Sequence, residues 1–118
     1  MISVDKYLSR RYNAKSYNCL HFVCEIWEDL TGTSITPYLT PVLVPGERLL
    51  TSKVLKPFTR IPVPANPSLV FMRRRPFAPH IGIYVDGRVL HLLESGAQFQ
   101  LLDVATEHYT DVRFYVCR

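Results

Sequence analysis

Cys19, His80 and His91 are the residues of this chain whose types and spacing can make an activated thiol. A cysteine becomes a nucleophile when an imidazole takes its proton and fixed dipoles hold the thiolate, and a further polar group sets the tautomer of that imidazole. Asn18 has the side chain of a helix cap, which places Cys19 in a first helical turn. There, unpaired amides and the helix dipole are expected to lower its thiol pKa. Asp86-Gly87, between Tyr84-Val85 and Arg88-Val89, is a strong hairpin signal for a two-residue type I′ turn. Counting back from it, Val85 faces Arg88, Tyr84 faces Val89, Gly82 faces His91 and His80 faces Leu93. The two histidines then share one hairpin face as diagonal neighbours, within about 7–8 Å between backbones across the pair. Gly82 leaves a dent beside them into which the start of the Cys19 helix can point. In this arrangement His80 is the general base, His91 bonds its far nitrogen, and the Cys19 amide contributes to binding an oxyanion.

Each residue also has an ordinary structural reading. A free cysteine in a helix is commonly a small core residue, and a lone strand histidine commonly packs or meets solvent. Zinc held by Cys19, His21, Cys24, His80 or His91 is a second alternative, disfavoured because the helical ligands would point to different sides. No metal or cofactor is therefore expected. His21 lies about 200° around the helix from Cys19 and is not expected to reach its sulfur. Cys24 reads as core, Cys117 as partly exposed and His108 as a loop residue.

The elements that must position these groups follow from periodicity. Cys19 to Thr31 reads as a helix ended by Gly32, with His21, Glu25, Glu28 and Asp29 on a solvent face and Phe22, Val23, Ile26, Trp27 and Leu30 on the core side. A shorter helix is expected over Val4–Arg11. From 33 to 67 seven prolines imply an irregular arm, with one short helix over Gly46–Leu55. Strands are expected over Leu69–Met72, Ile81–Val85, Arg88–Leu93, Phe99–Leu102 and Val112–Cys117, forming a meandering antiparallel sheet. The fold class is α+β, with the Cys19 helix packed on one sheet face.

The whole chain, 1–118, reads as a single domain. With 47% hydrophobic and 20% charged residues it has the composition of a globular protein, and it contains no run of the roughly 18 apolar residues that a membrane span needs. Met1–Arg11 lacks the apolar core of a signal peptide, so synthesis and retention in the cytoplasm are expected. Three cysteines, odd in number, argue against a disulfide framework. The net charge of +4 is modest and its densest element, Arg73-Arg74-Arg75, lacks the interleaved aromatics of a strand-binding surface, so nucleic acid is not an expected partner.

Three blocks resemble the NlpC family of papain-like cysteine peptidases: Tyr17-Asn18-Cys19-Leu20-His21-Phe22-Val23, Pro67-Ser68-Leu69-Val70-Phe71, and the run from His80-Ile81-Gly82-Ile83-Tyr84 to His91. Asn18 stands where that family usually has Asp, and Leu20-His21 where it has Ser-Gly. This makes the first block similar also to the lecithin:retinol acyltransferase relatives, in which the histidines precede the cysteine. The order here, cysteine first, is that of the peptidases. The resemblance implies a papain-like fold and a Cys19-His80-His91 triad that cleaves amide bonds in peptidoglycan stem peptides. A bare domain of this kind looks similar to the small NlpC-like proteins of bacteriophage tail tips, which would make other tail proteins its partners and carry it to the cell wall in the virion. Two alternatives stand beside this: a structural tail-tip component with little activity, and a thiol acyltransferase or amidase on another substrate.

Overall fold

The computed structural model describes residues 3–43 and 55–117. Its second half is a six-stranded sheet in which every pairing is antiparallel: β1 (Thr59–Ile61), β2 (Ser68–Arg73), β3 (His80–Val85), β4 (Arg88–Leu93), β5 (Gly96–Leu101) and β6 (Asp111–Val116), in the spatial order β1-β6-β2-β3-β4-β5. Strands β2 to β5 meander as expected. β6 then returns across the sheet to pair with β2 and carries β1 on its outer side.

Helix α2 (Cys19–Thr31) has the expected bounds. Asn18 caps it through Oδ1, which accepts from the Leu20 amide at 2.9 Å, and Gly32 ends it at φ 74°. Its apolar residues Phe22, Val23, Ile26 and Trp27 are buried against Leu69, Phe71, Ile81, Ile83, Val85, Leu90 and Leu92, one face of the sheet. The domain is thus α+β with the cysteine helix on a sheet face. The opposite face carries a smaller cluster of Val70, Met72, Val89 and Ala105, joined by Tyr84, Leu102 and Tyr109. It is partly covered by α4 (Leu102–Thr106).

Several expectations need correction. The polar side of α2 is not wholly a solvent face. The segment before it binds back on it: Arg10 grips Glu25 through Nε at 3.0 Å and Nη2 at 2.6 Å, and Tyr17 donates its hydroxyl to Glu25. Lys6 and Tyr7 hold Asp29 at 3.1 and 2.6 Å. The first helix is only α1 (Asp5–Leu8), shorter than Val4–Arg11. Helix α3 (Thr36–Leu43) and β1 occupy parts of the arm expected to be irregular. Pro37 lies in the first turn of α3, where a helix makes no use of the missing amide hydrogen. The helix expected over Gly46–Leu55 lies, apart from Leu55, outside the described residues. The expected strand end at Leu102 is instead the start of α4, whose five residues are too few to show a helical period.

Among the described residues, no helix is long and apolar enough to cross a membrane.

Candidate active site

The β3–β4 turn fixes the site. Asp86 at φ 50° and Gly87 at φ 84° occupy the left-handed region that a type I′ turn requires at both central positions. Asn66 clamps the turn from outside, accepting from the Asp86 amide at 3.1 Å and donating to its carboxylate at 3.2 Å. The register is Val85 opposite Arg88, Tyr84 opposite Val89 and Ile83 opposite Leu90, as the sequence implies.

With that register, His80 and His91 fall on one sheet face. Their ring centroids are 5.1 Å apart and His80 Nε2 lies 2.9 Å from His91 Nδ1. His91 is buried, and its Nε2 lies 2.7 Å from Gln100 Oε1. Because that amide oxygen can only accept, His91 carries its proton on Nε2 and presents a bare Nδ1. His80 must then donate from Nε2, which leaves Nδ1 of His80 as the nitrogen with a free lone pair. A chain from Gln100 through His91 thus sets the tautomer of His80. Tyr109 stacks on the His80 ring at 6.3 Å with planes 13° apart.

Gly82 is indispensable here, for a different reason from the one expected. A Cβ at this position would sit 2.9 Å from His91 Cβ, 3.0 Å from Val89 Cγ1 and 3.1 Å from the Leu90 carbonyl. The absent side chain therefore admits β4 itself and leaves no dent for the helix. His80 and His91 also alternate with Ile81, Leu90 and Leu92, which pack under α2, so the imidazoles lie on the face away from that helix. Cys19 approaches them at the start of β3, where the main-chain amide of Ile81 bonds its sulfur.

The amides of Cys19 and Leu20 also point at that sulfur and favour the thiolate. Burial opposes them and wins, so the thiol is pushed above its ordinary value, contrary to the expected lowering. Burial, with the neighbouring His91, holds His80 down to about 3. No Cys19–His80 hydrogen bond is formed among the described residues. Burial thus favours the neutral form of both the thiol and the tautomerically fixed imidazole.

Sequence reasoning missed Gln100 and Tyr109. Gln100 pairs with Val89, two positions from His91 along β4, and the alternation Ala97, Gln98, Phe99, Gln100 was the available signal. It also underrated His21, whose Nδ1 accepts from the Asn18 amide at 3.1 Å, closing a capping box at the cysteine end of α2. Cys24 is core, Cys117 is partly exposed, and His108 is an exposed loop residue beside Glu107. No three His, Cys, Asp or Glu side chains cluster as metal ligands among the described residues. A depression of about 340 Å³ over Arg60, Pro62 and Arg113 touches neither histidine, whereas one of about 190 Å³ is lined by Tyr109, the ring that stacks on His80.

Compared with known protein families, curated proteins and solved structures, the chain matches none of them.

Proposed function

We propose that this chain is a papain-like cysteine hydrolase of the NlpC type, acting on peptidoglycan stem-peptide amide bonds as part of a bacteriophage tail tip. The observation that carries the chemistry is the Gln100–His91–His80 chain, which presents one free imidazole nitrogen at the strand start whose amide bonds the Cys19 sulfur. In this reading Cys19 Sγ attacks the scissile carbonyl as its proton passes to His80 Nδ1. The Cys19 amide helps to hold the oxyanion, and His80 returns the proton to the leaving amine. Water, deprotonated by the same nitrogen, then cleaves the thioester. Because both partners rest neutral, proton transfer accompanies attack instead of preceding it. The substrate class and virion setting rest on the three sequence blocks that resemble the family.

The raised thiol pKa and the missing Cys19–His80 bond favour a second reading, a tail-tip component that retains the fold with a resting site. Digestion of purified peptidoglycan, followed by mass spectrometry of the fragments, separates the two. The hydrolase yields products that Cys19→Ala abolishes while the variant stays folded. Absence of any Cys19-dependent product from all diamino-acid wall types would leave the structural component.

A further inference from the structure

We propose that the depression beside His80 is a carboxylate subsite, in which Arg74 receives an acidic group of the bound peptide while Phe77 and Tyr109 cover its aliphatic stem. It rests on the hydrolase reading only in calling the ligand a substrate. The cavity, about 190 Å³, is lined by Arg74, Phe77, Ala78, His108 and Tyr109. That volume suits one side group and not a polymer strand.

Its walls are built. Arg74 to Phe77 closes a tight turn through the Phe77 amide on the Arg74 carbonyl at 2.9 Å. The facing segment is tied down where the Thr110 amide bonds the Arg73 carbonyl at 3.0 Å and the Tyr109 amide bonds Thr106 at 3.0 Å. The charges are asymmetrically used. Arg73 is committed to Asp111 at 2.6 Å and Glu107 lies against His108, whereas among the described residues no carboxylate pairs with Arg74. A guanidinium presents a planar fork that takes a carboxylate through two parallel bonds. Phe77 is 67% exposed, an apolar surface beside that fork. Tyr109 is shared by the cavity and the His80 ring, so a group bound here stands next to the base.

The test is an NMR titration of the full chain with N-acetyl-glutamate α-methylamide, its uncharged counterpart N-acetyl-glutamine α-methylamide, and methyl phosphate. The glutamate derivative is expected to shift Phe77, Ala78 and Tyr109 saturably and to bind roughly tenfold tighter than the amide, since a charged hydrogen bond is at stake. Binding weakens with added salt. Arg74→Gln removes that preference, while Arg75→Gln, outside the cavity lining, retains it. Equal shifts by acid and amide, or an unchanged preference in Arg74→Gln, overturns the proposal. Equal binding of methyl phosphate makes the site an unselective anion patch and also overturns it. The titration needs no turnover, so carboxylate binding without any hydrolysis would leave the subsite standing and remove only the hydrolase.

Discussion

At the scale of single residues, Cys19 and His80 are both held in their neutral forms, and burial is the larger cause for each. A preformed thiolate would react with an alkylating agent at a rate that levels off below the ordinary thiol pKa of about 8.5. For Cys19 the iodoacetamide rate is expected to keep rising through pH 9, with a midpoint above that value; a plateau reached by pH 7 would show a resting ion pair. Gly82 gives a second prediction. Because an added Cβ would meet strand β4 below 3.1 Å at two points, Gly82→Ala should cost about 1–3 kcal/mol in urea unfolding, as overpacking does. A loss under ~0.5 kcal/mol would mean that β4 shifts freely. The pairing of His80 with His91 was legible in the sequence because Asp86-Gly87 fixes a register from which faces can be counted. Gln100 and Tyr109 were not. The Glu94-Ser95 turn carries no comparable signal, and Tyr109 reaches His80 from a loop whose course depends on β6 crossing to β2.

At the scale of elements, the start of α2 is closed by reciprocal bonds between Asn18 and His21. His21 accepts through Nδ1, so Nε2 holds its proton, and burial lowers its pKa. Gln at this third helical position can accept the same bond and Ala cannot. His21→Ala is therefore expected to lose about 1 kcal/mol of stability and to blur the placement of Cys19, while His21→Gln retains most of both. Equal stability and equal Cys19 alkylation rates in the two variants would sink this role. The bounds of α2 were readable because a cap, an apolar period and a terminal glycine agree on them. Over 33–67 the prolines concealed α3 and β1. Pro37 sits in a first helical turn, which makes no use of its missing amide hydrogen, and β1 holds no proline itself but is only three residues long and lies between Pro57 and Pro62.

At the scale of the molecule, acid should unfold the domain in two stages. A histidine whose folded pKa is depressed leaves the unfolded chain binding the extra proton. Its stabilising effect is complete above the unfolded value of about 6.5 and is lost as pH falls toward the folded value, about 3 for His80. His91 and His21 shift in the same direction. Glu25, held low by its bonds from Arg10, and Asp29, held low by Tyr7 and Lys6, add a second loss below about pH 4. Melting temperatures measured from pH 8 downward should begin to fall near pH 6.5, and His80→Gln should flatten the upper stage. An unchanged Tm down to pH 5 would contradict it.

The β3–β4 turn carries a consequence for how this sequence can drift over generations. A residue added between Val85 and Arg88 breaks the two-residue turn that sets this register, together with the Asn66 clamp on Asp86. A single residue lost between His80 and Val85, or between Arg88 and His91, reverses the parity of one strand and turns its imidazole into the packed layer under α2. Descendants of this chain are therefore expected to inherit three fixed counts together: the five steps from His80 to Val85, the two residues of the turn, and the three steps from Arg88 to His91.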